Sequence, residues 1–278
     1  MINGASSRAT DQPLRVAIAG LGAVGMRIAE ALDKGIPGYR LSAVSARNRL
    51  TAEERLSPLE HRVPVVAIEE LEPLADLVVE CAPAELLPAI AKPFLEAGKC
   101  VIVLSAGAVL SNEYLIDIAR ARGGQLVVPT GALLGLDAVT AAAEDNIYSV
   151  KMVTRKPVRG LLGAPYLTAH NIRIEQITEP LRIFCGTARQ AAIGFPENLN
   201  VAVALALAGI GADRTNLEIW ADPSLDRNTH HIEVKSDSAS FTMSIENIPS
   251  QNPRTGRITA LSVIAYLRKR SAPLRVGS

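Results

Sequence analysis

From Leu14 the chain runs apolar through LRVAIAG, turns at Gly20 and continues as AGLGAVGMRIAEALDKG. Val24, Ile28, Ala31 and Leu32 then recur at helical spacing until Gly35 and Pro37 end the run, so the pattern predicts strand, tight turn and helix. Further apolar stretches predict strands over residues 40–46, 63–67, 76–83, 100–108 and 125–132. Helical segments fall between them: AELLPAIAKPFLEAGK, with Pro88 and Pro93 as candidate kinks, and residues 112–122. Runs that stay apolar without alternating belong to parallel strands covered on both faces. Strands alternating with helices at this spacing specify right-handed crossovers, so the first half is predicted to be a doubly wound, parallel α/β domain.

The pattern changes after about Asp137. YSVKMVT (148–154), LEIWAD, HHIEVKSD and ASFTMSIENI alternate with period two, as strands with one wet face do, while PENLNVAVALALAGIGAD reads as a buried helix. The last helix, residues 257–270, is apolar at Ile258, Leu261, Ile264 and Ala265 and ends in cations, which suit a helix C-terminus. It is expected to pack back onto the first domain. The expected organisation is a doubly wound domain at 12–136 plus 253–278, and an α+β open-sheet domain at 137–252. Exposed edges and faces of that second sheet need covering, which points to a homodimer.

Composition narrows the class. In 278 residues, 48% hydrophobic content and a net charge of +1 exclude a disordered chain and a generally basic nucleic-acid binder. The longest apolar run, Val201 to Ile210, is too short for the roughly 18 to 20 residues of a membrane span. Three cysteines, Cys81, Cys100 and Cys185, have no CxxC spacing and cannot close a complete disulfide set, which fits a reducing compartment. The start of the chain has no signal-peptide pattern, so the cytoplasm is the expected location.

Gly20, Gly22 and Gly25 form GxGxxG directly between a strand and a helix, with Ala23 and Val24 opening the helix. In that context the glycines permit a tight turn, let a pyrophosphate approach the backbone and let helix and strand pack closely, the Rossmann fingerprint for a nicotinamide or flavin dinucleotide, with a merely structural glycine turn as the alternative. The first domain is then the dinucleotide-binding one, and the second is left for substrate binding and dimerisation. The second strand ends in Ser45, Ala46, Arg47 and Asn48, with no acid to hold a ribose 2′-hydroxyl. Arg47 could pair with a 2′-phosphate, or instead stack on adenine or face water. Cys81 and Ala82 end a strand close to the expected nicotinamide position and are candidate cofactor contacts. As a thiol Cys81 reads as packing, since nothing beside it would activate a nucleophile, and Cys100 and Cys185 read as small buried residues.

Proton transfer beside a nicotinamide needs a titratable group. Of four histidines, His61 and His170 read as surface residues. His230 and His231 are adjacent on a strand, so at most one of them faces a given cleft. The same divergence argues against a metal site. Arg155, Lys156 and Arg159 near the domain junction are candidates for holding carboxylates. Each could equally be a solvated charge.

Seven strings together resemble the L-aspartate dehydrogenase family over nearly the whole chain: GLGAVG, VVECAPAELL, VPTGALLGLDAV, TRKPVRGLLGAPYL, GFPENLNVAVALALAGIGADRT, LEIWADPSLDRNTHHIEV and NPRTGRITALSVIA. The resemblance implies oxidation of L-aspartate by NAD or NADP to iminosuccinate, which water converts to oxaloacetate and ammonia, in a reversible reaction linked to quinolinate and NAD synthesis. It also implies His230 as the catalytic histidine, with His231 ranked below it, and cofactor contacts at Ala132 and Asn200. Asn198 and Thr229 join Lys156 and Arg155 as candidate substrate contacts, and Lys156 could instead assist the imine chemistry, by analogy with other amino-acid dehydrogenases. Thr130 stands where the family carries serine, which keeps a hydroxyl. Two alternatives stay open: a reductase of another small dicarboxylate or semialdehyde, and a dinucleotide-sensing protein without turnover.

Overall fold

The computed structural model describes residues 12–196, 199–250 and 256–277. Its first half runs β1 (Leu14–Ala19), α1 (Ala23–Asp33), β2 (Tyr39–Ser45), α2 (Arg49–Leu56), β3 (Val65–Val66), β4 (Leu77–Glu80), α3 (Leu87–Glu96), β5 (Cys100–Val103), α4 (Ala106–Leu110), α5 (Tyr114–Arg122) and β6 (Gln125–Val127). The six strands pair in parallel in the order β3-β2-β1-β4-β5-β6. The winding reverses between β1 and β4, the switch point beyond whose carboxyl edge ligands bind in such sheets.

Helices cover both faces, as non-alternating strands require. Every residue of β4 and β5 is buried. Ile28, Ala29 and Leu32 of α1 pack on one face, and Ile90, Phe94 and Leu95 of α3 on the other. Each such large side chain contributes roughly 1.5–3 kcal/mol through burial.

The second half runs α6 (Leu136–Ala143), β7 (Ile147–Lys156), α7 (Pro165–Ala169), β8 (Leu181–Thr187), α8 (Ala188–Gly194), α9 (Asn200–Ala208), β9 (Thr215–Ala221), β10 (Asn228–Ser236), β11 (Ser240–Asn247) and α10 (Ile258–Ser271). Its five strands form a mixed sheet, β11-β10-β7-β9-β8, with β7 and β9 parallel and the other pairs antiparallel. One face buries Val150, Met152, Leu217 and Ile232 in a common core with Val139 of α6 and Leu205 of α9. On the other face Lys151 and Arg182 both reach Glu218, and the Arg155 guanidinium sits 5.0 Å from the centre of the Trp220 ring. Helix α10 returns to the first lobe, where Ala260, Val263 and Leu267 share a core with α1.

Several elements differ from expectation. The strand expected over 125–132 stops at Val127, because Gly131 takes φ +60 and the Leu133 amide closes a turn on the Thr130 carbonyl. Pro88 falls in the first turn of α3, where a missing N–H costs little, and a 3₁₀ turn over Ala84–Leu86 precedes it; Pro93 lies inside the helix. Strand β8 has no sequence counterpart in the expected set: its burial does not alternate, and the register shifts between Arg182 and Phe184. Cys185 on that strand is exposed rather than buried, because it points away from the core that holds Phe184.

Candidate active site

The turn between β1 and α1 depends on glycine twice. Gly20 adopts φ +101, and a side chain there would come within 2.5 Å of the Cys81 carbonyl oxygen. A side chain on Gly25 would collide with the Gly20 carbonyl. Gly22 differs, because among the described residues nothing lies within 4 Å of where its Cβ would be. It is the N-cap of α1 and offers no side chain to the first-turn N–H groups, and that turn contains no acid. Bare amides, an open approach and an acid-free helix start fit the pyrophosphate of a dinucleotide. Arg55 of α2 donates to the Leu21 carbonyl and so places a cation against the same turn.

Beyond the carboxyl ends of β4, β5 and β6 lies a cleft of about 750 Å³ between the two lobes. Val24, Cys81, Ala82 and Ala132 line its first-lobe wall. Ala132 is fixed from both sides: the Gly131 amide donates to Ser262 Oγ at 3.1 Å, and Asn247 Nδ2 donates to the Ala132 carbonyl at 2.8 Å. Asn200, at the start of α9, accepts from the Gly107 amide at 3.0 Å and ties the lobes together at the cleft.

Glu80 closes the floor. Its fully buried carboxylate accepts from the amides of Ala82, Leu104 and Ser105 and from Ser105 Oγ, all within 3.2 Å, joining the loops after β4 and β5. Burial pushes its pKa up to about 7, against the downward pull of those four donors. Burial, followed by the Glu80 carboxylate, pushes the Cys81 thiol well above its ordinary range, so Cys81 acts as a wall and not as a nucleophile.

The opposite wall is one end of the second sheet. Thr154 and Lys156 are two residues apart on β7 and share a face; His230 on β10 pairs with Thr154, and Asn228, two residues before it, pairs with Asn247 of β11. Lys156, Asn228, His230 and Asn247 line the cleft. His230 is buried, and its Nδ1 lies 3.1 Å from Thr154 Oγ1. Burial first, and then the Lys156 charge, lower its pKa to about 3, so the imidazole is neutral at physiological pH. A neutral base, a cation and two amides thus face the strand ends where a nicotinamide would lie.

Of the residues singled out from the sequence, the cleft gathers Val24, Cys81, Ala82, Ala132, Lys156, Asn200 and His230, with Gly20, Gly22, Ala23 and Gly25 in the adjoining turn. Arg47 is exposed just past the end of β2. Arg155 is turned from the cleft by strand alternation and pairs instead with Asp222 at 3.5 Å and with the Trp220 ring. Arg159 donates to the Asp226 carbonyl, and Thr229 falls on the opposite face from His230; neither lines the cleft. Asn198 lies outside the described residues. His231 is exposed and bonded to Ser244, His61 meets Asp33 at the surface, and His170 stacks on Tyr166.

Sequence reasoning missed Glu80, Thr154, Asn228 and Asn247. An acid ending an otherwise apolar buried strand, VVE, was a readable signal for Glu80. The other three depend on strand register, which only pairing reveals.

Residues 137–270 match the family model described as aspartate dehydrogenase, C-terminal, and residues 20–129 match the NAD-binding domain of homoserine dehydrogenase. The L-aspartate dehydrogenase of Bradyrhizobium diazoefficiens is 58% identical over 95% of this chain and 94% of its own. L-aspartate dehydrogenase 3 of Bordetella bronchiseptica is 59% identical over 96% and 98%. The aspartate dehydrogenase structure from Thermotoga maritima superposes with a TM-score of 0.72 at 23% identity, covering 95% of this chain and 99% of that one, which shows a common fold. By identity across nearly its whole length, the chain belongs to the L-aspartate dehydrogenase family.

Proposed function

We propose that this protein oxidises L-aspartate with NAD or NADP to iminosuccinate, which water converts to oxaloacetate and ammonia. The reaction is reversible and serves quinolinate and NAD synthesis. One cleft supports this: Val24 beside the glycine turn and His230 and Lys156 on the far lobe line it together. In this reading residues 12–136 with 253–278 hold the cofactor and 137–252 carry the substrate wall.

The bound nicotinamide supplies a hydride acceptor. His230 takes the proton that the substrate amine must lose as the Cα hydride departs. Nδ1 is engaged by Thr154 Oγ1, which leaves Nε2 toward the cleft; in the tautomer whose Nδ1–H donates to that hydroxyl, Nε2 keeps its lone pair for that proton. Lys156 pairs with a substrate carboxylate, and the two incoming negative charges offset its effect on the imidazole and raise its basicity. After that proton has passed to solvent, the same imidazole takes a proton from the water that attacks the imine. Backbone and side-chain contacts at Ala132 and Asn200 hold the cofactor, and Cys81 and Ala82 flank its ring.

With no acid at 45–48 and an exposed Arg47 there, NADP is accepted alongside NAD. The open outer face of the second sheet belongs to a homodimer, and three free thiols suit the cytoplasm. Reduced nicotinamide formed with L-aspartate, compared with a panel of other amino and hydroxy acids, tests the assignment. The expected result is strong preference for L-aspartate. Turnover of another dicarboxylate alone would favour a different reductase, and cofactor binding without turnover would favour a sensor.

A further inference from the structure

Among the described residues, one buried side-chain polar atom has no hydrogen-bond partner, and it belongs to the cleft: Oδ1 of Asn247. Asn247 is 4% exposed and its amide orientation is fixed, because Nδ2 donates to the Ala132 carbonyl at 2.8 Å; flipping the group would set two acceptors against each other. Gly256 packs beside the oxygen and also lines the cleft, and a Cβ on it would lie 3.1 Å from Oδ1. A buried acceptor left without a donor is costly, of the order of a whole hydrogen bond. The missing partner must carry an N–H or O–H.

We infer that Asn247 Oδ1 accepts a hydrogen bond from the α-amino group of the substrate, making Asn247 a residue that selects amino acids over dicarboxylates lacking the amine. This rests on L-aspartate being the substrate. A carboxylate cannot be the partner, since it only accepts. Two donors would come together in the cleft, the substrate amine and the carboxamide of the nicotinamide. The amine is favoured by neighbourhood: Asn247 pairs across the sheet with Asn228, two residues from His230, on the face that also carries Lys156. The groups that would take the amine's proton and pair with the carboxylate therefore stand on the same wall. An ammonium has three N–H bonds, enough to serve Nε2 of His230 and Oδ1 of Asn247 together.

The test is a cycle of side chain against ligand group. Dissociation constants of L-aspartate and of succinate, which lacks only the amine, are measured by calorimetry on wild type and Asn247→Ala, each saturated with NADH. The expected result is a loss of about tenfold or more for L-aspartate beyond any loss for succinate. Equal losses for both ligands overturn the inference, pointing to a structural role or a buried water as the partner. A weakened NADH affinity with an unchanged aspartate-to-succinate ratio also overturns it and assigns the oxygen to the carboxamide. If Asn247→Ala does not fold, Asn247→Ser goes through the same cycle. Wild type that fails to bind L-aspartate would contradict the proposed substrate itself, whereas equal losses with wild-type binding intact contradict only the role of Asn247.

Discussion

His230 Nδ1 and Thr154 Oγ1 lie 3.1 Å apart across the β7–β10 pair, so a buried hydroxyl decides which ring nitrogen is left for the cleft. Thr154→Val keeps the shape and removes the hydroxyl. The imidazole then loses the hydrogen bond that orients its ring, and kcat is expected to fall about tenfold or more with the dissociation constant for NADH unchanged. Unchanged kcat would remove Thr154 from the mechanism.

Glu80 and His230 give opposite pH dependences of stability. Burial and Lys156 hold His230 at about 3, below its ordinary 6.5, so the unfolded chain binds the extra proton and stability is lost as pH falls from 6.5 towards 3. Glu80 is held at about 7, above its ordinary 4.5, so the folded chain binds the extra proton and stability is lost as pH rises from 4.5 to 7. Between 4.5 and 6.5 these slopes, each up to about 1.4 kcal/mol per pH unit, oppose one another. Asp33, Asp76 and Asp222 are held low and their contributions fall away below this window, while Glu218 and Glu233, also held low, begin to lose theirs at its lower edge. Urea denaturation of wild type is expected to give a nearly flat unfolding free energy from pH 4.5 to 6.5, and His230→Gln a value that declines as pH rises. A flat profile for the variant would show that Glu80 does not hold its proton.

Lys156 is buried in the cleft wall, where a charge acts with little solvent screening. Lys156→Gln is expected to raise KM for L-aspartate about tenfold or more while leaving KM for the cofactor within about twofold, as loss of one charged contact to a carboxylate would. A cofactor KM that rises in step would place the lysine against the dinucleotide instead.

The glycines of the turn divide by what surrounds them. Gly25→Ala drives a methyl into the Gly20 carbonyl and is expected to destabilise the fold by several kcal/mol, seen as a large drop in Tm. Gly22→Ala meets no neighbour, so Tm is expected to stay near wild type while the dissociation constant for NADH rises, because the methyl enters the space for the pyrophosphate. Wild-type affinity in Gly22→Ala would place the phosphates elsewhere.

The first lobe was legible because its signals are local: an apolar run, three glycines at fixed spacing and a helical repeat sit within Leu14 to Leu32. His230 could be separated from His231 only as far as alternation allows, and resemblance decided between them. Strand β8 was hidden because its register shifts at Arg182 and its burial does not alternate. Helix α8 did carry a readable start, the capping box from Thr187 to Gln190, in which each side chain satisfies the other residue's amide. Arg155 and Lys156 looked equivalent as neighbouring cations, yet the pleat sends one to Trp220 and the other to the cleft. Asn228 and Asn247 are 19 positions apart in sequence and become cross-strand partners only through the β10–β11 register.

The most direct measurement is steady-state oxidation of L-aspartate by His230→Ala, run beside NADH binding and thermal melting of the same preparation. With His230 moving the proton, kcat falls by about 10² or more while NADH affinity and Tm stay close to wild type. Near-wild-type turnover in a folded, cofactor-binding His230→Ala would show that the imidazole facing the strand ends takes no part in the chemistry.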